Sequence, residues 1–204
     1  MTDVGSIPVV DGRRQRSERT RQLIIEAYLA LLRSNPRIPT SNEIADRAGY
    51  SVRSVFERFP DLLALRIAAT DHAFALGTTQ AMLRDVDADR PTRIRSQVHT
   101  RAQTCESWLP LWRALNANRG ESAELRTRIA LMREAIRRRL EIMYRPELSS
   151  LDEPQRQYTL IALEAITDFE SWGRMREDNG LSLEQACAVW ITVIDRLLPP
   201  TPAA

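Results

Sequence analysis

Between Thr40 and Phe59 the chain reads T-S-N-E-I-A-D-R-A-G-Y-S-V-R-S-V-F-E-R-F, and its Arg53, Ser54, Glu57 and Arg58 offer donors and acceptors of a kind that suits a polyanion. A guanidinium is a rigid fork of donors that fits a phosphate or the O6/N7 edge of guanine. A hydroxyl can donate to a phosphate oxygen, and a carboxylate can accept from cytosine. A second group lies upstream, where Arg13, Arg14, Arg16, Arg19 and Arg21 fall within nine residues opposed only by Glu18. The residues up to Arg66 carry a net +3, whereas the rest of the chain carries −1. Every one of the 29 basic residues is arginine, a bias that a GC-rich genome explains as readily as a chemical demand does. On charge alone, a solvated basic helix end and a phosphate-binding surface remain equal readings.

Groups that would run an enzyme do not assemble. His72 and His99 stand alone in helical contexts, there is no Gly-rich phosphate loop or H-E-x-x-H, and Cys105 and Cys187 are too far apart for metal or redox spacing. The expectation is a protein that is not an enzyme, with no cofactor and no metal, whose cysteines are small buried hydrophobes in reduced form.

The elements that hold the arginines can be read from local signals. Apolar residues recur at three and four almost throughout, β-branched alternation is missing, and no Asn-Gly or Asp-Gly hairpin appears, so the fold class is all-α with about nine helices. A first helix from about Arg16 to Arg33 puts Leu23, Ala27 and Leu31 on one face and stops at Asn35-Pro36. Thr40-Ser41-Asn42-Glu43 is a capping box, Gly49 suits the left-handed position that ends a helix, and Ser51 can cap a short helix from Val52 to Arg58. Ile44, Ala45 and Ala48 form one apolar stripe and Val52, Val55, Phe56 and Phe59 another, so the two short helices pack together across a tight turn. That is a helix-turn-helix, which directs Arg53, Ser54, Glu57 and Arg58 outward, as a major groove requires.

Further along, Asp61 caps a connecting helix that runs to about Asp85. Helices follow from Thr92 to Ser107, from Pro110 to about Gly120, from Glu121 to Tyr144, from Pro154 to Asn179-Gly180, and from Ser182 to Leu198. The expected organisation is a mobile segment over 1–12, a three-helix DNA-binding head over 13–60, a connecting helix over 61–86, a larger helical body over 87–198 and a mobile tail over 199–204. No run of about 20 apolar residues could span a bilayer, and the opening segment lacks the basic-then-apolar order of a signal peptide, so a cytoplasmic location is expected.

Thr20-Arg21 with Leu23, Ile24 and Ala27, Thr40 to Gly49 with Ile44-Ala45 and Ala48-Gly49, and Ser51 to Phe59-Pro60 together resemble the N-terminal signature of the TetR (tetracycline-repressor-like) family over about 50 residues. Trp172-Gly173, Gly180-Leu181-Ser182 and Trp190 are similar, more weakly, to its body domains. Three positions depart from the pattern: Phe56, Arg58 and Leu62 stand where the family usually has tyrosine, histidine and lysine. Tyr50 stands where an aliphatic residue is common. The resemblance implies a repressor that binds a palindromic operator as a homodimer and is released by a small-molecule effector. The rival reading is a dimeric ligand-binding protein whose helix-turn-helix no longer binds DNA.

Arg53 is the candidate base reader, its alternative being a phosphate contact. Thr40, Ser51, Ser54, Arg58, Arg16 and Arg21 are candidate backbone contacts, with Tyr50 and Phe56 also at the surface facing DNA; for Thr40 and Ser51 pure helix capping is an equal alternative. In the body, His99, Trp108, Trp112, Met132, Met143, Tyr144, Tyr158 and Trp172 are candidate pocket walls or ordinary core. Helical stripes that include Ile161, Ala165 and Phe169, and Trp190, Ile194 and Leu197, are candidate pairing surfaces or core.

Overall fold

The computed structural model describes residues 12–35, 37–120 and 122–203. The rest of the expected N-terminal mobile segment, the helix-stopping Pro36, the helix-opening Glu121 and the last residue of the expected tail lie outside the described residues. Ten α-helices and one π-helical stretch follow one another without a strand among the described residues. They divide into two compact units between Ala69 and Thr70.

The first unit contains α1 (Gly12–Ser34), α2 (Ser41–Ala48), α3 (Val52–Arg58) and the start of α4 (Leu62–Gln80). Its core is Ile24, Tyr28, Leu32, Ile44, Ala45, Val55, Phe59 and Leu65, all essentially inaccessible to solvent. Asp61 caps α4, its carboxylate accepting from the Ala64 N–H at 2.7 Å, and the helix ends at Gln80, short of the expected Asp85.

The second unit continues with α5 (Arg90–Ala117), α6 (Ala123–Met143), α7 (Arg145–Leu148), α8 (Glu153–Ile166), α9 (Phe169–Gly173), a π-helical stretch (Arg174–Asp178) and α10 (Leu183–Leu197). Two expectations about it are corrected. Pro110 does not start a new helix but lies inside α5. An interior proline removes a backbone bond at about 3 kcal/mol. The flanking Trp108, Leu109, Leu111 and Trp112 are all buried, at about 1.5–3 kcal/mol each, so burial outweighs the break. Conversely, the single helix expected from Pro154 to Asn179 divides at Thr167–Asp168, where the Asp168 carboxylate accepts from the Ser171 N–H at 2.6 Å and caps α9.

Residues 199–201, expected within a mobile tail, are tied down. The Arg90 guanidinium donates to the Leu198 and Pro199 carbonyls, and the Thr201 hydroxyl donates to the Glu147 carboxylate at 2.5 Å. That carboxylate also holds Arg93, and both residues are buried, so the C-terminal segment seals a buried ion pair. Both cysteines are free and buried, and burial pushes the Cys105 thiol up to about 11. No helix among the described residues is long and apolar enough to cross a membrane.

Candidate functional site

In the first unit the chain folds locally by side-chain capping. The Thr40 hydroxyl accepts from the Glu43 N–H while the Glu43 carboxylate accepts from the Thr40 N–H at 2.8 Å, and Arg37 pairs with the same carboxylate. Arg37 first, then the Thr40 donors, hold that carboxylate well below the usual range, at about 2. Gly49, at φ 74°, closes α2, and the Ser51 hydroxyl accepts from the Ser54 N–H to start α3. The turn between α2 and α3 is therefore fixed at both ends by groups within three residues of it.

With Val55 and Phe59 inward, α3 presents Arg53, its side chain 88% exposed and its Nε donating to Glu57 at 3.1 Å. Ser54 shares a 2.9 Å hydrogen bond with Ser51 at the helix start. Phe56, placed by the sequence both on the apolar stripe of α3 and at the surface facing DNA, is 43% exposed, while Val55 and Phe59 fill the space against α1 and α2. Arg58 is half-buried and contributes with Arg13, Arg14 and Arg16 to one groove, whose acidic members are Glu18 and Glu57. Thr20, also in this groove, donates to the Tyr50 hydroxyl at 3.4 Å. Arg21 sits over the Phe59 ring at 5.0 Å. Of the nine residues proposed from sequence, eight lie on α3, in the turn before it or on α1, and Thr40 lies at the start of α2. Sequence reading missed Arg13 and Arg14 as groove members, although the crowding of arginines there was the available signal.

The second unit holds a cavity of about 210 Å³. One face of α5 supplies Gln97, Arg101, Thr104, Trp108, Leu111 and Trp112 to it at helical spacing; α4 adds Phe74 and Thr78, α6 adds Met132, Ile136 and Arg139, and α9 adds Phe169. Trp112 stacks on Phe169 with centroids 5.0 Å apart, and the Arg101 guanidinium lies over the same phenyl ring at 4.5 Å.

Of the eight proposed pocket residues, Trp108, Trp112 and Met132 line this cavity and five do not. His99 is exposed, its Nδ1–H directed at the Arg95 carbonyl at 2.7 Å. Tyr158 is 71% exposed on α8. Met143 and Tyr144 are buried at the end of α6, where burial and the Glu147 charge raise the Tyr144 phenol above its ordinary range. Trp172 is buried against Trp190 at 4.7 Å with its Nε1–H on Glu106. Sequence reading missed Arg101, Arg139, Gln97 and Phe74.

Of the six proposed pairing residues, Phe169, Trp190 and Ile194 are core of their own chain and are withdrawn as surface groups. Ile161, Ala165 and Leu197 remain exposed. They are joined by Tyr158 on α8 and Val189 on α10, and Ala165, Val189 and Val193 line one shared depression.

No protein-family model matches the chain, and no curated protein matches its sequence. Solved structures do. A TetR-family transcriptional regulator from Streptomyces coelicolor superposes with a TM-score of 0.71 at 15% identity, covering 88% of this chain and 80% of that one. A transcriptional regulator from Rhodococcus sp. Rha1 gives a TM-score of 0.66 at 16% identity, covering 91% and 99%. A protein from Rhodococcus sp. described as a TetR-family transcriptional regulator gives 0.64 at 19% identity, covering 89% and 100%. The chain has the all-α fold of these TetR-family regulators.

Proposed function

We propose that the protein is a cytoplasmic DNA-binding transcriptional regulator, a repressor that binds a palindromic operator as a homodimer and is released by a small-molecule effector. One observation carries the reading: a capped two-helix unit that buries Val55 and Phe59 while leaving Arg53 almost fully exposed at the start of α3. The start of such a helix is what reaches base edges in a major groove. Arg53 reads a base. Arg16, Arg21, Thr40, Ser51, Ser54 and Arg58 hold the phosphate backbone, Tyr50 and Phe56 pack beside it, and the hydroxyl caps keep their structural role as well. The exposed apolar residues of α8 and α10, with Ile161, Ala165 and Leu197, form the pairing surface, and the cavity takes the effector. Because effector and operator affinities are linked thermodynamically, a coupling of about 1–3 kcal/mol is enough for release.

A second reading is favoured by the exposure of Phe56: a dimeric ligand-binding protein whose helix-turn-helix does not bind DNA. An exposed phenyl ring has no hydroxyl to give a phosphate. Selection of fragments from the source genome at low and at moderate salt separates the two. A regulator retains a small set of related palindromic fragments at moderate salt, whereas nonspecific attraction by the arginines disappears with screening. Loss of all fragments at moderate salt would leave only the second reading.

A further inference from the structure

The cavity of the second unit has walls of two kinds. Along α5 its lining begins with Gln97, Thr100, Arg101 and Thr104 and continues with Trp108, Leu111, Trp112 and Leu115. The other walls follow the same order. Arg139 comes from the C-terminal part of α6 and Thr78 and Ala81 from the end of α4, whereas Met132 and Phe74 lie earlier in those helices. The polar side chains come mostly from the start of the lined stretch of α5 and the ends of α4 and α6, the aromatic and aliphatic ones mostly from further along α5, and Phe169 touches both Arg101 and Trp112.

The polar wall is cationic and uncompensated. Arg101 is only 7% exposed; its Nε donates to the Thr167 carbonyl at 2.8 Å, and its guanidinium lies over the Phe169 ring at 4.5 Å. Arg139 donates to the Ala81 carbonyl. Among the described residues neither arginine forms an ion pair with a carboxylate, although seven other arginines of this unit do so. Burial, and then the charge of Arg101, push the Arg139 guanidinium below its ordinary range, so the two cations act on each other. Gln97 is buried too, and its Oε1 has no hydrogen-bond partner among the described residues. A buried charge is ordinarily paired, and here the buried Arg101 and the half-buried Arg139 line one cavity with no carboxylate partner among the described residues.

We infer that the cavity binds a small amphipathic carboxylate, its carboxylate held by Arg101 and Arg139 and its apolar tail lying along Trp108, Leu111, Trp112 and Met132. The size follows from the space. An apolar cavity of about 150 Å³ accepts benzene, so 210 Å³ takes on the order of ten non-hydrogen atoms. The Arg101 guanidinium lies 4.5 Å from the Phe169 ring, which stacks on Trp112 at 5.0 Å, so the charged and aromatic walls are close together and the space suits a short tail. Medium-chain fatty acids and aryl alkanoates share this chemistry. The inference rests on the reading of the cavity as the effector site and adds the class of effector.

Calorimetric titration of the full chain with decanoate, 4-phenylbutyrate and the neutral decanamide tests it, with Arg139→Met and Arg101→Gln as variants. Removing a charge-assisted hydrogen bond from a buried site weakens affinity roughly ten- to hundredfold. Decanoate or 4-phenylbutyrate is expected to bind at least about tenfold more tightly than decanamide, and Arg139→Met to reduce that preference severalfold. Which of the two carboxylates binds more tightly identifies the tail. Arg101 also braces Phe169, so its variant can unfold the site; the comparison of ligands on the unaltered chain and the Arg139 variant do not depend on it. Equal binding of decanamide, or no binding of either carboxylate, overturns the inference. Operator affinity, measured separately, distinguishes this from failure of the regulator reading. Release of DNA by neutral apolar compounds alone sinks the carboxylate and keeps the regulator, whereas carboxylate binding that leaves operator affinity unchanged supports the ligand class and removes the effector role.

Discussion

The proposed base recognition turns on Arg53, and the structure sets what its removal should do. Its guanidinium is held at 3.1 Å by Glu57, one helical turn on, with the arginine side chain 88% and the glutamate 48% exposed. At that distance the gross Coulomb attraction in water is about 1.3 kcal/mol, but an exposed pair at this spacing nets only about 0.3–0.5 kcal/mol once side-chain ordering is subtracted. A bidentate contact with guanine is worth about 1–3 kcal/mol of discrimination, so on the proposed reading it outweighs the intrahelical pair, and Arg53 would exchange Glu57 for the base on binding. Arg53→Ala should therefore weaken the preferred operator by a few-fold to roughly a hundredfold and flatten the preference at one base pair. Glu57→Gln should tighten binding by about twofold, because the competing carboxylate charge is gone. Fluorescence anisotropy on an operator set carrying all four base pairs at each position, repeated across a salt series, reads both effects. If Arg53→Ala instead weakens every sequence equally and lowers the salt slope by about one, the residue contacts phosphate and the base-reading argument is refuted.

Three other outcomes are expected. The Glu43 carboxylate has its pKa depressed to about 2 in the folded chain by Arg37 and Thr40. Its stabilisation is full above the ordinary carboxylate range and is lost as pH falls toward 2. The difference in urea midpoint between the parent chain and Glu43→Gln should shrink between pH 5 and pH 3, and a constant difference would contradict the assignment. The buried Arg93–Glu147 pair predicts that Glu147→Gln, which strands the arginine, costs about 3–5 kcal/mol in denaturant unfolding, while the paired replacement Arg93→Met with Glu147→Leu recovers most of it. Ile161, half exposed on α8, should tolerate glutamate in a monomer, but in a dimer paired through that face Ile161→Glu should raise the dissociation constant at least about a hundredfold by sedimentation equilibrium. A parent chain that is monomeric at micromolar concentration would defeat the pairing proposal outright.

What was legible in the sequence was local. Thr40, Glu43, Gly49 and Ser51 act on backbone groups no more than three or four residues away, so their identity alone specified α2, the turn and α3. The all-α fold followed from the period of the apolar residues, and solved TetR-family regulators share it. The body was less legible because its decisive energies are not local. Pro110 looks like a helix start until the buried tryptophans on either side of it are known. The stripes on α8 and α10 had the right period but an ambiguous phase. Both helices are apolar on more than one side, so periodicity could not tell Trp190 and Ile194, which face the core, from Val189 and Leu197, which do not.

Arg101 exposes the limit most sharply, because its signal was present and pointed the other way. It occupies a core-facing register on α5, between Val98 and Cys105 and next to Ala102, all of them buried. Aromatic residues are the natural choice for pocket walls, yet large aromatics are also the commonest core fillers, and Tyr144 and Trp172 belong to the core accordingly. A cation on an apolar stripe is the rarer event and the more informative one, since the fold must pair it with an anion, leave it at a water-accessible edge, or keep it for a ligand. For Arg93 the fold supplies Glu147. Among the described residues, Arg101 has a carbonyl and a ring but no carboxylate, and the same cavity contains a second arginine that donates to a carbonyl and pairs with no carboxylate. The contrast between these two buried arginines, eight residues apart on one helix, is what the proposal reads as a structural charge and a binding charge. An isosteric neutral pair should replace the first with little loss, whereas neutralising the second should weaken the proposed anion binding together with the brace on Phe169.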